Sequence, residues 1–188
     1  MKKTLLAIAC GLVMALTAAT AQAAPLTTAD TTFLGTADPG SPANLDDEVF
    51  YINYLLGMTL NDTDTGVNPP PDPPNTLYTF VRSGNSCGTC TSATATGAVQ
   101  VNTGGPVTDL NVSNYTYLLA KYGNTAYVWY VADLTLVTIT SNLSGVQNGL
   151  SHYALFNPGT VTTPDGGTTL GLLGLGLMGL GYLRRRLA

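Results

Sequence analysis

The sequence predicts a mainly β protein, an antiparallel β-sandwich with one short N-terminal helix, and a targeting segment at each end of the chain. Two observations lead to this fold class. From Leu77 onward, apolar and polar residues alternate with a period of two, which is typical of strands that bury one face. These stretches are rich in β-branched and aromatic residues, and Gly, Asn and Asp separate them as turns.

The N-terminus has the composition of a secretory signal peptide. Lys2 and Lys3 precede an apolar stretch, and Ala21 and Ala23 place small residues at the two positions that a signal peptidase reads. We therefore expect residues 1–23 to be the signal peptide, signal peptidase to be a partner, and the mature chain to be exported across the inner membrane.

The first part of the mature chain is expected to be a flexible arm followed by a helix. Residues 24–43 are polar and interrupted by prolines, which predicts the arm. Asn44 is a suitable N-cap, and apolar residues then recur at helical spacing, which predicts a helix over about 45–56. The first turn of this helix contains three acidic residues, Asp46, Asp47 and Glu48. We interpret them as capping residues, and a metal site is the alternative.

Residues 44–160 form the predicted exported β-rich domain. Gly123 and Asn124 supply a turn between two of its strands, which predicts a β-hairpin. The second strand of this hairpin has aromatic or apolar residues on both faces, so we expect it to be central. The predicted strands are 77–81, 98–101, 110–112, 114–122, 126–131, 134–140 and 153–156.

A proline-rich loop is expected over residues 61–75. Asp62, Asp64 and Gly66 have the spacing of part of a calcium-binding loop, but prolines surround Asp72, the candidate for its closing acid. We expect no metal and no cofactor, with Ca²⁺ at this loop as the alternative.

The charge distribution excludes one class of partner. All 11 acidic residues lie between Asp30 and Asp165, where Arg82 and Lys121 are the two basic residues. Because binding to a phosphate backbone requires clustered Lys and Arg, we expect no nucleic-acid partner.

Cys87 and Cys90 are the cysteine pair that remains after signal removal, and three interpretations are open. The first is a small disulfide in a loop, which an exported protein permits. The second is a redox-active dithiol, which requires a stabilised thiolate. The third is a metal site, for which His152 is the further strong ligand. We favour the disulfide.

Other residues with reactive or binding side chains are expected to be structural. His152 is the single histidine, and we expect a backbone partner for it rather than an acid and a nucleophile. Trp129 and the tyrosines could stack on sugar rings, but their alternate positions on strands favour a core role. We therefore expect no enzyme activity and no catalytic residue.

The C-terminal segment, residues 161–188, combines a turn motif, an apolar run and a basic cluster. The run from Gly166 to Leu183 has 18 residues and no charge, close to the about 20 residues that a membrane-spanning helix needs, so we expect a transmembrane helix here. The turn motif is Pro164, Asp165, Gly166 and Gly167, and the basic cluster is Arg184, Arg185 and Arg186. By the positive-inside rule, we expect this cluster to remain in the cytoplasm.

This three-part tail resembles the PEP-CTERM class of sorting domains, in the variant whose motif reads Val-Pro-Asp-Ser-Gly. Thr163 and Gly166 replace the valine and the serine of that motif. The resemblance implies an exosortase as partner, transient membrane anchoring, cleavage near Pro164, and a surface or extracellular location in bacteria that make extracellular polysaccharide. The expected function is that of an exported surface or matrix protein, in which polysaccharide is a candidate ligand. The alternatives are a carbohydrate-binding module and a secreted thiol/disulfide protein.

Overall fold

The computed structural model describes residues 23–157, apart from 42, 68–76, 89, 144, 145 and 147. The expected signal peptide up to residue 22 and the expected sorting segment, 161–188, lie outside the described residues. The described elements are β1 (Ala24–Pro25), β2 (Phe33–Asp38), α1 (Leu45–Gly57), β3 (Thr63–Val67), β4 (Tyr78–Arg82), β5 (Val99–Asn102), β6 (Val107–Asn111), β7 (Tyr117–Tyr122), β8 (Thr125–Tyr130), β9 (Leu136–Ile139) and β10 (Leu150–Phe156).

The strands form two sheets, which confirms the mainly β prediction. The large sheet is antiparallel and has seven strands in the order β3-β4-β2-β8-β7-β10-β5. The small sheet has the order β1-β9-β6, in which β6 is antiparallel to β9 and the two-residue β1 is parallel to it. The predicted hairpin is β7–β8, and Gly123 begins its turn with a φ of 58°.

The large sheet is buried on both faces by different elements. Side chains alternate along a strand, so β7 directs Leu118 and Ala120 to one face and Tyr117 and Leu119 to the other. The first face shares a core cluster with the small sheet, and the second shares one with α1. The helix therefore forms a third layer, in addition to the two sheets of the predicted sandwich. The predicted central position of the second hairpin strand is confirmed, because β8 lies between β2 and β7.

The predicted helix is confirmed together with its N-cap. The Asn44 side-chain oxygen accepts hydrogen bonds from the backbone N–H groups of Asp46 and Asp47, at 3.0 and 3.1 Å. These bonds satisfy two donors that have no partner inside the helix. On the buried face of α1, Ile52 and Leu55 are fully buried.

The prediction of a flexible arm over residues 24–43 is wrong. This segment contains β1 and β2, and β2 lies inside the large sheet between β4 and β8. Leu34 and Ala37 of β2 are buried. Gly35, which as a glycine weakens a strand prediction, has a φ of 151°, and a Cβ on it would overlap the backbone oxygen of Val81. The glycine is needed here because the neighbouring backbone approaches closely.

The expected loop over residues 61–75 is also wrong in its first part. Thr63–Val67 is β3, the edge strand that pairs with β4. The register shifts between Thr65 and Val67, where Gly66 has a φ of 80°. A polar strand with an irregularity lacks the apolar alternation that predicts strands. Residues 68–75 of that segment lie outside the described residues.

Candidate functional site

A buried pair of ionisable side chains joins α1 to the large sheet. Glu48 lies in the first turn of α1 and His152 on β10, and both side chains are buried. His152 Nε2 lies 2.5 Å from Glu48 Oε1. The expectation of a backbone partner for His152 is therefore wrong, because its partner is a carboxylate from a distant part of the chain. The capping interpretation is likewise wrong for Glu48, whose side chain faces the sheet.

Two further polar side chains approach this pair, which we call the Glu48–His152 pair. Gln100 Nε2 donates to Ala43 O at 2.8 Å and to Glu48 Oε1 at 3.3 Å. Lys121 lies opposite His152 in the β7–β10 register; burial lowers the pKa of Lys121, and the charge of Glu48 opposes that shift. Glu48 Oε2 is buried and has no hydrogen-bond partner among the residues that the structure describes.

Ser151 brings a hydroxyl next to the same histidine. The β7–β10 register shifts between Leu150 and His152, and Ser151 is the extra residue. Its Oγ lies 3.5 Å from His152 Nδ1 and donates to Lys121 O at 3.1 Å. A serine nucleophile must instead give its proton to the imidazole, at about 2.6–3.2 Å. An acid, an imidazole and a hydroxyl thus meet, but the hydroxyl proton is directed to a carbonyl oxygen.

The cysteine pair lies in a loop that is fastened to the large sheet and the helix. Cys87 and Cys90 have Cα atoms 5.6 Å apart and sulfur atoms within bonding distance, which fits the disulfide interpretation. The described residues around the pair, 83–88 and 90–98, contain no helix whose N-terminus could stabilise a thiolate.

Three side chains hold the part of this loop that follows the cysteines. The Asn53 side chain accepts from Ala93 N–H at 2.7 Å and donates to Ala93 O at 3.1 Å. The Tyr117 hydroxyl donates to Thr91 O. Asn157 accepts from the N–H of Thr94 at 2.8 Å, directly after the last strand. The loop is therefore held by α1, by β7 and by the end of the domain.

The acidic residues of the candidate calcium loop have protein partners. Asp62 accepts from the N–H of Thr63, and Asp64 accepts from the Tyr54 hydroxyl. This hydrogen bond is the main reason why the pKa of Tyr54 is raised, with burial second. Among the described residues, no group of three or more His, Cys, Asp or Glu side chains could hold a metal ion.

Trp129 belongs to the core. Its side chain is fully buried, and its Nε1 donates to Thr27 O at 2.9 Å. Phe33 and Tyr127 pack against it, with ring centroids 5.4 and 6.3 Å away. The core interpretation of Trp129 is confirmed. The exposed large apolar side chains in the described part of the chain are all aliphatic: Leu60, Leu77, Val81, Val99 and Val101.

Arg82 has a structural role that its sequence position does not predict. The side chain is buried at the end of β4, donates to Leu34 O at 2.5 Å and to Asn85 O at 2.8 Å, and burial lowers its pKa. It joins β2 to the start of the cysteine loop. One signal in the sequence was available, since Arg82 is one of only two basic residues in the acidic interval.

Comparison with known proteins defines the tail. A family model described as VPDSG-CTERM motif matches residues 164–187, so the chain ends in a PEP-CTERM-like sorting tail, as the resemblance predicted. Such a motif identifies an exported, surface-directed protein. No curated protein and no solved structure matches the chain.

The sorting motif and the basic cluster lie outside the described residues, as does the expected transmembrane helix. Within the described residues, α1 is too short and insufficiently apolar to span a bilayer. Ala23 is described and lies directly before β1, whereas Ala21 is outside the described part.

Proposed function

We propose that this chain is an exported protein of the cell surface or the extracellular matrix, anchored transiently by its tail and then trimmed by an exosortase. The match of residues 164–187 to the VPDSG-CTERM motif carries this proposal. In it, Pro164 to Gly167 are recognised by the processing enzyme, the apolar run crosses the inner membrane, and Arg184 to Arg186 retain the end of the chain in the cytoplasm.

The boundaries of the described domain support removal of both targeting segments. Every described strand lies between Ala24 and Phe156. At the start, Leu26 is buried and its N–H donates to Thr138 O at 2.9 Å. At the end, Phe156 is fully buried and Asn157 holds the cysteine loop. Cleavage after Ala23 and near Pro164 would remove no part of either sheet.

We propose a structural or interaction role for the exported domain, without catalysis. The Glu48–His152 pair is buried, and the Ser151 hydroxyl donates to a backbone carbonyl. For carbohydrate binding, the alternative function, Trp129 offers no exposed ring, because its side chain is in the core. We propose contact with extracellular polysaccharide only on the ground of the extracellular location that the sorting tail implies. For the cysteine pair, we propose a permanent disulfide rather than a redox-active dithiol.

A topology experiment tests the anchoring step. An enzymatic reporter that is active only in the cytoplasm is fused behind Ala188 in a host with its exosortase gene deleted. We expect cytoplasmic reporter activity and an externally protease-accessible domain. In a matched chain with Arg184, Arg185 and Arg186 replaced by Ala, the C-terminus should no longer be held in the cytoplasm, and the reporter activity should fall. A reporter that is inactive and accessible from outside in the unchanged chain would overturn the proposal.

A further inference from the structure

Among the residues that the structure describes, one edge of the large sheet presents unpaired backbone groups together with exposed valines. β5 is the outer strand, next to β10. Val101 lies opposite Tyr153, and the Thr103 N–H donates to Ser151 O at 3.0 Å. In an antiparallel pair the bonded residues alternate, so the odd-numbered residues of β5 bond to β10. The N–H and C=O groups of Gln100 and Asn102 therefore point away from the sheet.

The side chains of this edge favour pairing with another strand. Val99 and Val101 lie on the same face of β5 and are 40% and 37% exposed. β5 contains no charged residue, proline or glycine. Such residues are the usual protection of an edge strand, because an unprotected edge recruits other strands.

The opposite edge of the sheet differs in this respect. β3 contains Asp64 and Gly66, and its register is irregular at Gly66. In the sequence, prolines at positions 69, 70, 71, 73 and 74 follow it closely. Of the two edges of the large sheet, the β3 edge is protected and the β5 edge is open within the described residues.

We propose that β5 is a self-association edge, at which a second copy of this chain adds its own β5 in antiparallel orientation. A two-fold axis at Gln100 places Val99 of each copy opposite Val101 of the other, so that four exposed valines form one cluster. The Gln100 backbone groups of the two copies bond to each other. The chain is acidic, but β5 is uncharged, so this pairing places no two carboxylates opposite each other. The proposal is independent of the processing of the tail.

Cysteine cross-linking tests both the association and the register. Opposed residues of a non-hydrogen-bonded pair have Cα atoms about 4.5 Å apart, within disulfide range, whereas diagonal neighbours are about 7–8 Å apart. Differently tagged full-length Val99→Cys and Val101→Cys chains are mixed in detergent and oxidised mildly. We expect a mixed disulfide dimer from the mixture and little dimer from either variant alone. Peptide mapping identifies the cross-link and separates it from exchange with Cys87 or Cys90.

Lysine substitutions provide the second measurement, by light scattering on the full-length chain in detergent. We expect the unchanged chain to be a dimer and the double variant Val99→Lys/Val101→Lys to lose the dimer mass. Val81→Lys is the matched control, because Val81 is a strand valine that is 43% exposed on β4; it should stay dimeric. Circular dichroism verifies the fold of all three. A monomeric unchanged chain, a dimer that survives the double substitution, or equal cross-linking with Val81→Cys would overturn the proposal.

Discussion

His152 Nε2 lies 2.5 Å from Glu48 Oε1, although the two residues are 104 positions apart in the sequence. The contact fixes the first turn of α1 to β10, near the end of the exported domain. A buried polar group that loses its hydrogen-bond partner is costly, so we expect the Glu48–His152 pair to contribute substantially to the attachment of α1 to the large sheet.

Glu48→Gln and His152→Gln should each destabilise the domain by about 1–3 kcal/mol, because each replaces one member of a buried, close hydrogen-bonded pair by a neutral amide that does not reproduce the contact. The measurement is the free energy of unfolding in urea. Asp46→Asn is the matched control, since Asp46 lies in the same turn but is exposed, and it should cost less than about 1 kcal/mol. The double variant should cost less than the sum of the two single variants. Equal effects of Glu48→Gln and Asp46→Asn would contradict the role of the pair.

Gly35→Ala should be strongly destabilising. The φ of 151° disfavours a side chain, and a Cβ would meet the Val81 oxygen and the Leu55 side chain. We expect a loss of at least about 2 kcal/mol from strain and overpacking between α1 and the sheet. Gly57→Ala is the control, because a Cβ at Gly57 meets nothing within 4 Å. Thermal unfolding of the two variants should separate them clearly; similar melting temperatures would refute the close approach at Gly35.

The domain should lose stability at alkaline pH. Burial is the main cause that raises the pKa of Tyr117 and Tyr122 from 10.0 to about 12. Each hydroxyl ionises more easily in the unfolded chain, so its stabilising contribution is complete below pH 10 and is lost as the pH rises towards about 12. Tyr117→Phe and Tyr122→Phe should each reduce the slope of unfolding free energy against pH in that window. An unchanged slope in both variants would contradict the burial of these hydroxyls.

The mature protein should contain no free thiol. Cys10 lies in the expected signal peptide, whose removal we propose, and the sulfur atoms of Cys87 and Cys90 lie within bonding distance. A thiol titration of the exported protein under denaturing conditions, without reductant, should give none. Reduction should lower the unfolding free energy by less than the roughly 3 kcal/mol expected for a 15-residue loop, because this loop is far shorter. Two titratable thiols in freshly exported protein would support the dithiol instead.

Features with local sequence signals were predicted correctly, and features that depend on distant residues were not. Asn44 caps its helix through bonds within three positions, and the β7–β8 turn requires only Gly123 and its neighbours. β2 was missed because its glycine weakens the strand pattern, while the reason for that glycine is the backbone of β4. The periodicity of the sequence predicts which segments are strands, but it does not predict that the helix packs as a third layer on the large sheet.

The buried pair shows the same limit at the level of the site. Glu48 follows an N-cap, where an acidic residue is favourable for local reasons, so its position gave no sign of burial. His152 was recognised as the single histidine, but its partner is defined by the fold alone. The tail was predicted well, because the enzyme that would recognise it reads a contiguous stretch of sequence.

Intact-mass spectrometry of the exported protein tests the central claim most directly. In a host with an exosortase, we expect one species with its N-terminus at Ala24 and its C-terminus near Pro164. In the same host without the exosortase, the C-terminus should be Ala188. Secreted protein that still carries Arg184 to Arg186 in the host with the enzyme would contradict sorting by cleavage of the tail.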